Sequence, residues 1–457
     1  MKKLMMLSLF FVMEVVFFGC KKAPKVPEDT LVAVYVDIPQ SVENIGEFLS
    51  AAAEQLSESK CRKANKSFEK IYSVIKKDFK AFDPEWMVAV LCGDKENSPR
   101  RAVIIKCNYE AEIPSLDDES LEERYDSEYK DRIDEGGACN VGKTKINTEK
   151  VYVIDGEAIT FIDGKDGKYV IMCEWDTSAA YEYYRETRDR YYYWEPRKTF
   201  DSDEYNRKLC DSDERGKKML SNLIDIYRDG EGDVSEDFDD LNKLDGNAIA
   251  RVKTAKLGTL RDLENRDYGF LNCCMEFAEK SGDEKFVEDV DGAKGYICDF
   301  ILSGDEVGVR LEIDAGSKEL AKAFEGSMYG SAISGFFFGN VFSRIPTFGD
   351  LNYLTSSIRR LEREFMSTED DSSYSKSVAK LLREGTEIDR TGSSVSAERV
   401  VDTDSLLAEI MPDYKDEFNE KIDELTEEES VEEPHYPLFR KISDFMGLAK
   451  SRKEYCY

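Results

Sequence analysis

The stretch VYVIDGEAITFIDGKDGKYVIMCEWDTS, residues 151–178, decides the fold class. Three apolar runs, Val151 to Ile154, Ala158 to Ile162 and Tyr169 to Cys173, are separated by Asp-Gly pairs starting at Asp155, Asp163 and Asp166. Asp-Gly between apolar runs is a strong hairpin signal, because tight turns that match strand twist need residues tolerant of left-handed backbone. The stretch therefore predicts an antiparallel meander. It ends at Asp176, Thr177 and Ser178, short polar residues suited to capping a helix that carries Ala179, Tyr183 and Tyr184.

Upstream, Leu31 to Asp37 predicts a strand, and Pro39 and Ser41 open a helix with Ile45, Phe48, Leu49, Ala52 and Leu56 on one side. A second helical pattern, Ala64 to Phe82, repeats apolar residues at Phe68, Ile71, Ile75 and Phe79. Trp86 to Cys92 and Arg101 to Cys107 then predict two more strands across a turn-forming segment that includes Gly93, Asn97 and Pro99. Downstream the grammar recurs. Val307 to Ile313 alternates apolar positions and runs into Asp314, Gly316, Ser317 and a helical pattern with Leu320, Ala321 and Phe324. Val395 to Val401 does the same before Asp402, Leu406, Leu407 and Ile410, and Ala248 to Val252 repeats the opening strand ahead of Leu257, Leu260 and Leu263.

The expectation is an α+β protein of duplicated antiparallel-sheet units, each covered by helices, with a helical and acidic C-terminal region. Its expected divisions are a signal peptide (1–19), a lipidated tether (20–29), a first unit (30–190) and a linker with an acidic helix-loop (191–244). A second unit (245–330) and a helical region with a third, partial repeat and an acidic tail (331–457) follow. In the two full units, the strands leading to Asp176 and Asp314 are expected to hold equivalent places in two sheets.

The N-terminus specifies a compartment. Lys2 and Lys3 precede an apolar run from Leu4 to Phe18, then Gly19 and Cys20, which is the charged, apolar and small-residue order of an export signal. The segment resembles the lipobox class of bacterial lipoproteins, from which Glu14 and Phe18 are departures. The resemblance implies cleavage before Cys20, acylation of that cysteine and a location in the cell envelope, anchored to a membrane outside the cytoplasm. Several acyl chains on one residue hold stably where one chain holds marginally. Lys21 to Pro27, with three lysines and two prolines, reads as tether.

With 64 Lys plus Arg against 95 Asp plus Glu, the chain carries a net charge of −31. Such a surface repels phosphate backbones, so nucleic acid is not an expected partner. The ten cysteines beyond Cys20 form no C-x-x-C pair. Cys92, Cys107, Cys173 and Cys298 lie in apolar strand-like runs, where cysteine behaves as a small buried hydrophobe.

Most familiar catalytic devices lack their residues. His435 is the single histidine and lies between Pro434 and Tyr436, which leaves no Ser-His-Asp or Cys-His nucleophile within the predicted units. No glycine-rich phosphate loop of the common patterns occurs. A non-catalytic binding or envelope-structural role, with an envelope protein or glycan as partner, is the expected function. The alternative is a secreted hydrolase working with two carboxylates, for example on glycans. No cofactor is expected beyond calcium.

The calcium candidate is Asp225, Asp229, Glu231, Asp233 and Glu236, after a helical Lys217 to Ile224. With Gly230, their spacing resembles an EF-hand loop, in which oxygen ligands wrap one ion and glycine makes the sharp turn. Tyr227 and Gly232 stand at the third and eighth positions of that frame. The aromatic run Tyr191, Tyr192, Tyr193 and Trp194, beside Arg185, Arg188 and Arg190, is the candidate interaction surface, since aromatics and arginine are enriched where binding energy concentrates.

Overall fold

The computed structural model describes residues 23–54, 84–93, 100–108, 142–154, 156–188, 201–255, 295–318, 321 and 386–408. In chain order the strands of the first half are β1 (Thr30–Asp37), β2 (Pro84–Cys92), β3 (Arg100–Cys107), β4 (Gly142–Ile146), β5 (Glu149–Ile154), β6 (Glu157–Gly164) and β7 (Gly167–Glu174). The second half supplies β8 (Ala248–Thr254), β9 (Gly295–Leu302), β10 (Glu306–Asp314), β11 (Thr386–Thr391) and β12 (Ser394–Asp402). The helices are α1 (Ile38–Glu54), α2 (Ser178–Arg188), α3 (Ser202–Asp211) and α4 (Glu214–Arg228).

All the strands join one antiparallel sheet in the order β11-β12-β10-β9-β8-β1-β2-β3-β7-β6-β5-β4. The α+β class and the 151–178 meander are as the sequence indicates, with β5, β6 and β7 adjacent and antiparallel. The expected pair of sheets is instead a single sheet, joined where β1 pairs with β8 through Val34↔Val252 and Tyr35↔Arg251. The expected equivalence of the strands before Asp176 and Asp314 also fails. Counting outward from the β1–β8 seam, β7 is fourth on its side and β10 is third on the other. Strand β12, read from sequence as part of a third repeat, pairs with β10 within this same sheet.

One row of side chains crosses the whole sheet and shows how the halves differ. From the β4 edge it reads Thr144, Val151, Thr160, Ile171, Ile104, Val88 and Tyr35, then Arg251, Asp299, Arg310, Glu398 and Glu387. On the first half this face is apolar and is covered by α4, whose Leu220, Leu223 and Ile224 are buried in one cluster with Val88, Ile104 and Ile171. On the second half the same face is charged. The reverse face stays apolar there, with Val309, Leu311, Ile313, Val395 and Ala397 all buried, which is the alternation expected of an antiparallel sheet with one polar side.

The interval expected as a linker, 191–244, contributes α3 and α4 to the body. Leu209 and Cys210 of α3 and most apolar side chains of α4 are buried, because the exposed apolar face over β6 and β7 needs a cover and α4 packs there. Asp213 caps α4 by accepting from the Gly216 N–H at 2.8 Å. The stretch expected as free tether is also docked. Pro24, Val26 and Pro27 are buried, and Pro27 bridges Val234 in antiparallel fashion.

Candidate functional site

The N-terminal segment and the loop after α4 form one assembly. The Ser235 N–H donates to the Val26 carbonyl and the Glu28 N–H to the Asp233 carbonyl, both at 3.0 Å. The Tyr227 hydroxyl donates to the Lys25 carbonyl, while its ring lies 6.2 Å from Trp86 and 4.8 Å from Tyr169, centroid to centroid. Val26, fully buried, belongs to the same cluster as Tyr35 and Trp86. A turn at Pro27 to Thr30, closed by the Thr30 N–H on the Pro27 carbonyl, sends the chain from this segment into β1. The segment before the turn thus doubles back over the Tyr35 face.

The calcium candidates fall in this assembly, and the fold already employs several of them. Asp225 lies inside α4, where its carboxylate accepts from Asn147 Nδ2 at 2.8 Å. Asp229 receives Arg228 Nε and Nη2 on one oxygen at 2.8 and 2.7 Å, and this guanidinium holds its pKa below the ordinary carboxylate value. Gly230, with φ of 72°, follows the last turn of α4, and the Asp229 and Glu231 N–H groups both return to the Asp225 carbonyl. That is the left-handed glycine stop common at helix ends. Glu231, Asp233 and Glu236 point outward as exposed residues. Among the described residues no group of three or more metal-ligating side chains converges. Cys20 and Tyr191 to Trp194 lie outside the described residues.

The charged half of the cross-sheet row was not singled out from sequence. Arg251 meets Asp299 through two parallel bonds of 2.7 Å, with side-chain exposures of only 12% and 10%. Burial opposes the Arg251 charge, but the Asp299 carboxylate outweighs it and keeps the guanidinium pKa above its usual value. Arg251 Nη1 also donates to the Asp240 carbonyl at 3.1 Å, and Lys253 pairs with the Asp240 carboxylate. Arg310 reaches Asp245 at 2.7 Å and both Glu306 and Glu398 at 3.1 Å. Segment 239–247 is thereby pinned across the charged face. The available signal was Arg251 and Lys253 at alternate positions of an otherwise apolar strand, which marks one side of β8 as polar.

Asp213 forms a third cluster. Arg100 Nη1 and Nη2 approach its two oxygens at 2.9 and 3.1 Å, and the Asp176 N–H donates to it at 2.7 Å. Asp213 and Asp299 are therefore each engaged by a guanidinium group, and Asp213 also by backbone N–H groups, an arrangement that holds charge in place and fixes segments. Cys92, Cys107, Cys173, Cys210 and Cys298 are buried free thiols. Burial pushes the thiols of Cys92, Cys173 and Cys298 well up and that of Cys210 up to about 11, so at neutral pH they remain protonated and poor nucleophiles.

No protein-family model matches the chain, and no curated protein matches it. Among solved structures, crystal forms I and III of TP0453 align at 10% identity and a TM-score of 0.30, over 86% and 85% of this chain and 98% and 96% of theirs. Crystal form IV aligns at 9% identity and a TM-score of 0.31, over 84% of this chain and 96% of its own. A likeness of that degree carries no argument about function, which rests on this chain's own residues.

Proposed function

We propose that the protein is a lipid-anchored component of the cell envelope, held outside the cytoplasm through Cys20 and acting as a non-catalytic binding or structural element. The observation that carries the reading is the fastening of the chain just beyond Cys20. Pro24, Val26 and Pro27 are buried, and three backbone or hydroxyl bonds tie the segment to Tyr227, Asp233 and Ser235. A membrane anchor on Cys20 would act on the folded body almost directly. An envelope protein or glycan is the partner class consistent with this role. The competing carboxylate hydrolase would have to use the buried cross-strand pair Glu157 and Glu174, because Asp213 and Asp299 are already committed to Arg100 and Arg251. No helix among the described residues is long and apolar enough to cross a membrane.

The same reading includes a duplication, with correspondences other than those expected from sequence. The outward order β1-β2-β3-β7-β6 is matched by β8-β9-β10-β12-β11. The ladder Val34, Ala89, Val103, Met172, Ile159 parallels Val252, Cys298, Leu311, Ala397, Ile388. Each half also places a register shift at the start of its first strand, between Thr30 and Val32 and between Ala248 and Ala250. Two copies meeting edge to edge would give a broad scaffold with one charged quarter and three apolar ones.

Cys20→Ser tests the anchor. Palmitate incorporation is expected to vanish, with the protein recovered as uncut precursor or in the soluble fraction. Undiminished labelling of that variant would rule the anchor out.

A further inference from the structure

We infer that the strand end formed by the β4–β5 and β6–β7 turns faces the bilayer, so that the sheet stands on the membrane by these hairpins. The inference rests on the proposed anchor at Cys20 and adds an orientation and a contact surface to it. Five residue-to-residue steps lead from Cys20 to Lys25, which limits their distance to about 18 Å even when fully extended. Lys25 is fixed by Tyr227, whose ring lies on Tyr169 at the start of β7. The next residue, Arg228, donates from Nη1 to the Asn147 carbonyl in the β4–β5 turn at 2.5 Å. Lys165 of the β6–β7 turn donates to the Asp229 carbonyl at 2.5 Å. One helix end therefore holds the anchor-bearing segment and both hairpins together.

Charge is mixed at this end. A body of net charge −31 is repelled by anionic headgroups over most of its surface. This end carries Lys145, Lys150 and Lys165 beside Asp163, Asp166 and Glu231, all exposed, so its lysines interrupt the acidic surface. The short reach from Cys20 to the fixed Lys25 makes a phospholipid headgroup layer the occupant of this surface.

The test uses the full lipidated protein in phosphatidylcholine vesicles bearing a headgroup nitroxide. A coumarin-bearing amino acid replaces Lys145 or Lys165 at the hairpin end, or Ser178 or Thr391 at the opposite end. The two ends are about 25 Å apart, the length of an eight-residue strand such as β1, so quenching at positions 145 and 165 should be at least about threefold stronger. Equal quenching at all four positions, with the protein co-floating with vesicles, would overturn the orientation while leaving the anchor intact. Failure to co-float, with no quenching anywhere, would overturn the anchor and the orientation with it.

Discussion

Asp213 shows how much of this fold depends on one carboxylate. It caps α4, receives the Asp176 N–H at the end of β7 and neutralises Arg100 at the start of β3, with a side chain 3% exposed. Removing one partner of a buried pair leaves the other charge uncompensated, typically at a cost of about 3–5 kcal/mol. Asp213→Ala is therefore expected to lose stability of that order in urea unfolding, and a loss below about 1 kcal/mol would mean that Arg100 finds solvent. The thiols give a second test at this scale. With their pKa values raised by burial, Cys92, Cys173, Cys210 and Cys298 should resist alkylation in the folded protein at pH 8. All four should react in guanidinium, as peptide mass spectrometry would show. The strand-like runs made the burial of Cys92, Cys107, Cys173 and Cys298 legible beforehand. Cys210 was not, because RKLC within a polar segment gives little sign of the contact it makes at the end of α3.

Among the elements, the N-terminal segment departs furthest from its local composition. Three lysines and two prolines between Lys21 and Pro27 read as solvated chain, yet Val26 is fully buried. Proline lacks an N–H to leave unsatisfied, so two prolines flanking a valine can lie on an apolar face at little backbone cost. Val26→Ala should destabilise by about 2 kcal/mol, from lost methyl burial and the cavity left behind. It should also speed proteolysis near Lys25, and an unchanged cleavage rate would count against the docked segment. Helix α4 makes the complementary point. Its helical run from Lys217 to Ile224 was visible, as was Gly230, but Asp225 and Asp229 beside that glycine serve a helix end clamped by Arg228 and Asn147.

For the whole molecule, the seam between β1 and β8 determines whether the halves act as one. Besides the strand pairing, α1 of the first half reaches into the second. Ser41 Oγ donates to the Ile249 carbonyl at 2.6 Å, Gln40 Nε2 to the Asp245 carbonyl at 2.6 Å and Asn44 Nδ2 to the Gly246 carbonyl at 2.8 Å. Such coupling predicts one cooperative unfolding transition, with calorimetric and van't Hoff enthalpies in agreement. Asp213→Ala in the first half and Asp299→Asn in the second should both lower that single transition. Two separated heat-absorption peaks, each moved by only one of the variants, would show the halves to be independent.

Local pattern was enough to specify the α+β class, the antiparallel meander of residues 151–178, most strands and the helical run Lys217 to Ile224 within α4. Each depends on neighbours in sequence: period-two alternation, Asp-Gly turns, and apolar spacing of three and four. The sequence by itself did not reveal β4 or β11, whose GKTKI and TEIDRT are short polar edge strands defined by their partners. Nor did it reveal that the two sets of strands form one sheet, since the β1–β8 pairing joins residues more than two hundred positions apart. Strand equivalence failed for the same reason: Asp-ended strands share a capping signal, while their rank in the sheet is set by long-range register. Only tertiary structure could bring Arg251 to Asp299, Arg310 to Glu398 and Lys25 to Tyr227, because a charge or a carbonyl acquires its partner when the chain between them has folded.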